Sequence, residues 1–155
     1  MKPAKQYSDL MSELLNDLET KSKSVDVPVG AFVLDKNLGI VAKAFNGRVE
    51  KNDPTAHAEI EAIRIAGLEL NNWRLDDCTL LVTLEPCQMC SGAVLQSRIS
   101  RVVFGAFEPK TGFLVSNNLN SEIPGIEIIG GVLEEECSRI LSDWFIDKRS
   151  NQDMI

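Results

Sequence analysis

The sequence predicts an α/β domain built on a mixed five-stranded sheet. Five short segments rich in apolar and branched residues predict the strands, at 29–34, 40–45, 79–83, 101–106 and 126–129. A short polar turn joins the first two, which is typical of an antiparallel hairpin. A helical segment separates the third from the fourth, which predicts a parallel pair joined by a crossover. The sheet should therefore contain both kinds of strand pair.

Helical spacing of apolar residues predicts a first helix over residues 7–19 and a last helix over residues 132–149. The predicted apolar side of the last helix contains Leu133, Cys137, Ile140, Leu141, Trp144 and Phe145. Residues 107–124, between the fourth and fifth predicted strands, are expected to form a long surface loop. The final segment, 150–155, is expected to fray.

Two further helices are predicted to begin beside the most distinctive residues of the chain. Asp53 is expected to cap the first of them, because Pro54 follows it at a position where proline loses no hydrogen bond. Pro86 is expected to open the second, which should end at about residue 97. The buried side of the first helix is predicted to contain Ile60, Ile63 and Ala66.

These helix starts contain a set of metal-binding side chains. His57 is the only histidine of the chain and precedes Glu59 by two positions, while Cys87 and Cys90 are three residues apart in a first helical turn. One imidazole and two thiolates supply three ligands to a tetrahedral zinc ion and leave the fourth position open, as a catalytic site requires. Glu59 is then placed to act as the base. The combined His-x-Glu and Pro-Cys-x-x-Cys pattern is typical of zinc deaminases.

Other interpretations explain fewer of these residues. A zinc finger with two cysteines and two histidines needs a second histidine, and a four-cysteine site would have to use Cys78 and Cys137, whose spacings resemble no familiar finger. A redox Cys-x-x-Cys pair leaves His57 and Glu59 unexplained. A non-catalytic zinc-stabilised binding module has no use for an unligated carboxylate beside an open position. Core packing is the expected role of Cys78 and Cys137.

Composition limits the classes of function. At 155 residues and 44% hydrophobic, the chain is long enough for one domain, 1–155, with a full core. Sixteen basic against 23 acidic residues give a net charge of −7, so any nucleic acid must be bound locally rather than by overall charge. No apolar stretch approaches the ~18 residues of a membrane span, and no signal region follows the N-terminus. We expect a cytoplasmic protein.

Several longer stretches resemble the bacterial tRNA-specific adenosine deaminases. The zinc motif alone would fit any cytidine-deaminase-like enzyme, but the sequence around it is more specific. The matching stretches are Val27-Pro28-Val29-Gly30-Ala31, Asn46, Asp53-Pro54-Thr55-Ala56-His57-Ala58-Glu59, Thr83-Leu84-Glu85-Pro86-Cys87-x-x-Cys90, Arg98-Ile99-x-Arg101-Val102-Val103-Phe104-Gly105-Ala106 and Lys110-Thr111-Gly112.

The resemblance implies a three-layer α/β/α cytidine-deaminase-like fold, a homodimer, and hydrolytic deamination of adenosine to inosine at the wobble position of tRNA. It further implies that His57, Cys87 and Cys90 hold one zinc ion per subunit and that Glu59 shuttles protons. Asn46 is expected to hydrogen-bond the target nucleoside; by its position before a glycine alone, it would be a turn residue.

The partner implied by the resemblance is a tRNA anticodon stem-loop. Aromatic side chains would stack on its bases and basic ones would contact its phosphates, although core packing and a solvated charge are the ordinary roles of such residues. The candidates for these contacts are Lys110, Trp144, Phe145, Lys148 and Arg149, with Arg98 and Arg101 as further phosphate contacts. The loop also departs from the family pattern at Glu108, Phe113 and Val115.

Two rival functions remain open. The nearer rival is a deaminase of the same fold that acts on a free base or nucleoside, such as guanine or cytosine, which the acidic composition favours. The other is the non-catalytic zinc-stabilised module.

Overall fold

The computed structural model describes residues 3–20, 25–117 and 125–153. Its helices and strands follow the order α1 (Pro3–Glu19), β1 (Gly30–Leu34), β2 (Ile40–Phe45), α2 (Arg48–Lys51), α3 (Ala58–Glu69), β3 (Thr79–Leu84), α4 (Gln88–Ser97), β4 (Arg101–Ala106), β5 (Glu127–Ile129) and α5 (Glu134–Asp153). All five predicted strands are present. The single turn of α2 was not predicted.

The strands form one mixed sheet in the order β2-β1-β3-β4-β5. β1 is antiparallel to both of its neighbours, whereas β3, β4 and β5 are parallel. Every residue of β1 and all but the last residue of β3 are buried, because these central strands are covered on both faces. The predicted hairpin and the predicted parallel crossover pair are both confirmed.

Two hydrophobic clusters, one on each face of the sheet, make the fold a three-layer α/β/α structure. The first cluster joins α1 and α5 to one face and includes Met11, Leu14, Phe32, Leu81, Val103 and Cys137. The second joins α3 and α4 to the other face and includes Val33, Ala62, Ala66, Leu80, Val94 and Val102. Cys78 and Cys137 are buried within these clusters as predicted. None of the described helices is long and apolar enough to cross a membrane.

The predicted start of α3 is wrong. Asp53 does not cap the helix, because its Oδ1 accepts hydrogen bonds from the amide (2.8 Å) and hydroxyl (2.7 Å) of Thr55 and closes a separate turn. The carbonyl of Ala56 accepts a hydrogen bond from the Gly47 amide at 2.9 Å, so it is not available to a helix. The cap is instead His57, with extended φ −68° and ψ 150°.

The buried face of α3 also differs from the prediction. Ala58, Ala62 and Ala66 are fully buried, while Ile60 and Ile63 are only partly covered. Alanines at this spacing form one stripe of the helix and let it lie close to the sheet. Periodicity favoured the larger residues, but the narrow space between helix and sheet accommodates the small ones.

The observed bounds of α4 and α5 differ from the predicted bounds by only a few residues. Cys87 caps α4, so Pro86 lies just before the helix rather than at its first position. α5 continues to Asp153, which contradicts the predicted fraying over residues 150–153. Residues 154–155 and 118–124 of the predicted tail and loop lie outside the described residues. Phe145, predicted on the apolar face of α5, is 48% exposed.

Candidate active site

The ends of four strands bring the candidate residues to one edge of the sheet. Gly30 at the start of β1 pairs with Phe45 at the end of β2. β1 runs antiparallel to β3, so its start also lies beside the carboxyl ends of β3 and β4. Asn46 and Glu85, which follow β2 and β3, therefore lie at the same edge and border one cavity. This edge is where ligands bind in open α/β sheets.

The three predicted metal ligands meet at this edge. The Nδ1 atom of His57 lies 3.3 Å from the Sγ of Cys90 and 3.6 Å from the Sγ of Cys87. The three ligand atoms all lie within 4.8 Å of one another. Bond lengths of zinc to nitrogen and sulfur in a tetrahedral site separate such atoms by about 3.5 Å. The donor set and its spacing therefore fit one zinc ion.

The local folding of α3 and α4 explains how these side chains converge. His57 and Cys87 are the residues that cap the two helices, and Cys90 lies in the first turn of α4. Residues at a helix start project beyond its end, so ligands from two helices can share one ion. The free amides and the positive end of the helix dipole there also favour thiolate over thiol.

The three candidate ligands share protons with one another through hydrogen bonds, and these bonds shift their pKa values. Without a metal, the hydrogen bond from the Cys90 thiol lowers the pKa of Cys87 to about 4, and the same bond raises the pKa of Cys90. A hydrogen bond to Cys87 also raises the pKa of His57. A metal that requires deprotonated ligands displaces the shared proton.

Glu59 lies one residue into α3 and is only 5% exposed. Burial raises the pKa of its carboxyl above the ordinary value, and a hydrogen bond with Cys90 opposes this shift. A raised pKa makes the carboxyl a stronger base, which suits a group that must accept a proton and later return it. Glu59 is therefore suited to proton transfer at the open side of the metal centre.

A cavity of about 170 Å³ opens over the metal ligands and is bounded by Asn46, His57 and Glu59. The Nδ2 of Asn46 donates a hydrogen bond to the Val27 carbonyl at 3.2 Å. Its Oδ1 is buried, and none of the described residues donates to it. A buried acceptor without a donor costs free energy, so this oxygen is available to a bound molecule.

The cavity is also bordered by Arg48, Glu85 and Thr111, for which the sequence predicted no role. Arg48 is exposed on α2, and nothing in the sequence distinguishes it from an ordinary solvated cation. Glu85 is buried directly after an apolar strand. A charged residue at such a position in the sequence could have indicated a functional role, because a charged side chain is rarely buried without a partner. Burial would raise the pKa of Glu85, but hydrogen bonds led by those from Ser116 hold it below its ordinary value.

The five candidates for RNA contact surround one shallow groove of about 790 Å³, which we call the basic groove: Lys110, Trp144, Phe145, Lys148 and Arg149. The rings of Trp144 and Phe145 meet edge to face, with centroids 5.0 Å apart. The Nζ of Lys148 lies 5.2 Å from the centre of the Trp144 ring. A helix and a loop that are distant in sequence thus combine two aromatic rings with three cations.

Arg98 and Arg101 do not join this groove. Arg101 begins β4, at the opposite end of that strand from the cavity. Its guanidinium contacts Glu127 at 2.8 Å and donates to the hydroxyl of Tyr7 at 2.6 Å. Arg98 ends α4 in a left-handed conformation and donates to the Leu95 carbonyl. Both arginines contribute to the fold away from the metal centre.

Comparisons with known proteins agree with this geometry. Residues 4–106 match the family described as the cytidine and deoxycytidylate deaminase zinc-binding region. A tRNA-specific adenosine deaminase of Haemophilus influenzae is 39% identical over 95% of this chain and 88% of its own length. The enzyme of the same name from Bacillus subtilis is 42% identical over 92% of this chain and 90% of its own length.

A solved structure is also similar. It belongs to a study of A-to-I editing by tRNA:A34 deaminases at the wobble position of transfer RNA. It superimposes with a TM-score of 0.78 at 36% identity, and the match covers 84% of this chain and 97% of that one.

Proposed function

The chain belongs to the cytidine and deoxycytidylate deaminase zinc-binding family, and we propose from this that it deaminates adenosine to inosine at the wobble position of a tRNA anticodon. The observation that carries the proposal is the His57, Cys87 and Cys90 centre, with the buried carboxyl of Glu59 beside it. Two tRNA-specific adenosine deaminases match nearly the full length of the chain, which favours tRNA as the substrate. The protein is accordingly a zinc-dependent hydrolase.

The reaction adds one water molecule and releases ammonia. When bound, zinc supplies a Lewis acid that makes a solvent molecule more acidic. Glu59 takes a proton from the attacking water, whose oxygen forms a bond to C6 of the adenine. The same carboxyl delivers this proton to the ring nitrogen, then takes a second proton from the new C6 hydroxyl group and delivers it to the amino group. The C6–N6 bond breaks, ammonia leaves, and the C6 carbonyl of inosine forms. Asn46 holds the nucleoside by accepting a hydrogen bond at its unpaired Oδ1.

We propose that the basic groove binds the anticodon stem-loop. The exposed ring of Phe145 offers a surface on which an unpaired base can stack. Lys110, Lys148 and Arg149 would neutralise phosphates beside it. Local recognition of this kind suits a chain with a net charge of −7, because the rest of the surface repels nucleic acid.

The proposed assembly is a homodimer in the cytoplasm. Several large apolar side chains are exposed, among them Val49 at 60% and Val115 at 49%, and a second copy would cover such residues. All four cysteines are free, which suits a reducing compartment. Sedimentation velocity of the zinc-loaded protein tests the dimer, and a mass equal to one chain would contradict it.

One experiment separates this function from its rivals. The purified protein is incubated with an anticodon stem-loop that has adenosine at the wobble position, and separately with free adenosine, guanine and cytosine. A stem-loop with the adenosine moved into the paired stem is the matched control. Inosine is measured by nucleoside chromatography and ammonia by a coupled assay, and zinc content is determined on the same sample.

Inosine at the wobble position alone, with one zinc per chain, supports the proposal. Ammonia from a free base with no inosine in RNA would instead indicate a free-base deaminase. Stoichiometric zinc without turnover of any substrate would support the non-catalytic module.

A further inference from the structure

The buried carboxylate of Glu85 accepts four hydrogen bonds from a single segment of chain. Its Oε1 accepts from the amide of Glu108 at 3.1 Å and from the hydroxyl of Ser116 at 2.5 Å. Its Oε2 accepts from the amides of Val115 at 2.8 Å and Ser116 at 2.9 Å. Glu85 itself is 2% exposed. Both oxygens of a buried charge are thus fully hydrogen-bonded by residues 108–116, which we call the clamp loop.

The clamp loop closes tightly around this carboxylate. A Cβ atom added at Gly112 would lie 2.5 Å from the Cδ of Glu85 and 2.5 Å from the carbonyl oxygen of Glu108. No side chain fits there, so the loop can approach the carboxylate only because residue 112 is glycine.

The clamp loop also contacts the metal centre. Gly112 forms a β-bridge with the zinc ligand Cys87, and the amide of Phe113 donates to the Pro86 carbonyl at 2.9 Å. Thr111 lines the cavity that holds His57 and Glu59. The segment that Glu85 holds is therefore a wall of the substrate cavity.

We propose that Glu85 is a positioning residue that fixes the clamp loop, so that Thr111 forms one wall of the nucleoside cavity and Lys110 reaches the basic groove. This inference rests on the proposed function. Residues 107–117 contain turns and one bridge but no helix or strand, so the loop has little regular structure to hold it. Four charge-assisted hydrogen bonds to one carboxylate supply the missing order.

Glu85→Gln is the first test, because it keeps the shape of the side chain but replaces one of the two oxygens that accept hydrogen bonds from the loop with an NH2 group. Glu127→Gln is the matched control, since Glu127 accepts a hydrogen bond from Arg101 at the far end of β4. Gly112→Ala disturbs the same contact from the side of the loop. Zinc content, the rate of tryptic cleavage after Lys110, and KM and kcat on the stem-loop are measured for each zinc-loaded variant.

The proposal predicts that Glu85→Gln and Gly112→Ala retain one zinc per chain, are cleaved faster after Lys110, and have a KM raised about tenfold with a smaller change in kcat. Glu127→Gln should behave as the parent protein. Unchanged cleavage and KM in Glu85→Gln would overturn the proposal. A lower kcat at unchanged KM would also overturn it, because Glu85 would then act in the chemistry.

A third variant keeps the test decisive if Glu85→Gln does not fold. Ser116→Ala removes one donor and should shift cleavage and KM in the same direction by a smaller factor; no shift would overturn the proposal. If the parent protein forms no inosine, the proposed function fails, but tryptic cleavage still decides whether Glu85 holds the loop.

Discussion

The Nδ1 of His57 lies 3.3 Å from the Sγ of Cys90, although the two residues are 33 positions apart in the chain. Each belongs to the start of a different helix, and these helices pack on the same face of the sheet. A single ion bound by these residues would therefore join two helices that are distant in the chain.

Replacing one ligand should remove the metal. Cys90→Ala is expected to reduce zinc from one ion per chain to none and to abolish deamination, because two remaining ligands do not hold a structured zinc site. Zinc is measured by inductively coupled plasma mass spectrometry. Cys78→Ala, which removes a buried cysteine of the core, should retain the full zinc content. Full zinc in Cys90→Ala would contradict the assignment.

Replacing the carboxylate should abolish turnover but not zinc binding. Glu59→Gln cannot accept or return a proton, so we expect kcat to fall by at least about 10²-fold with zinc unchanged. Steady-state kinetics on the stem-loop measure the effect. Glu61→Gln is the control, because Glu61 lies on the same helix but forms ion pairs with Lys51 and Arg64. Substantial turnover by Glu59→Gln would refute its role as the proton shuttle.

Asn46→Ala should weaken substrate binding at little cost to stability. The variant loses the bond to Val27 but also removes a buried oxygen without a donor, so the free energy of unfolding should change by less than about 1 kcal/mol. Loss of the hydrogen bond to the nucleoside should lower kcat/KM by about tenfold or more. Urea denaturation and kinetics give the two quantities. A kcat/KM equal to that of the parent would leave Asn46 as a turn residue only.

Removing a cation from the basic groove should change the salt dependence of RNA binding. Lys148→Ala is expected to weaken binding of the stem-loop and to lower the slope of log K against log salt by roughly one, since one phosphate contact is lost. Fluorescence anisotropy across a salt series measures it. Lys36→Ala is the matched control, because Lys36 is an exposed cation in the turn between β1 and β2 and does not line the basic groove. Equal slopes for both variants would exclude the groove as the RNA site.

Chelation should expose one reactive thiol while the core cysteines stay protected. Without zinc the pKa of Cys87 is about 4, so this residue is a thiolate at neutral pH and should react with iodoacetamide. Burial raises the pKa of Cys137 to about 12, and a group with a raised pKa remains a neutral thiol below that pH. Peptide mass spectrometry at pH 7 should find Cys87 modified first. Faster labelling of Cys137 in the folded protein would contradict the prediction.

The amino-acid sequence alone predicted the five strands and the three residues that meet as a possible metal site, and the structure confirms both. It also predicts Glu59 as the carboxylate that transfers protons. Short apolar runs such as residues 79–83 predict a central strand, because a strand covered on both faces is apolar throughout and a buried helix is usually longer. The three metal-binding residues were recognisable because His57, Cys87 and Cys90, with Glu59 beside them, combine the residue types and spacings that a catalytic zinc site needs.

Only the tertiary structure decided where α3 begins, which of its residues are buried, and what Glu85 does. Each depends on a contact between segments distant in sequence: the Gly47 amide competes for the Ala56 carbonyl, and the clamp loop closes on Glu85. Local propensity describes a residue and its near neighbours, whereas these choices follow from hydrogen bonds and space that exist only once the sheet has assembled.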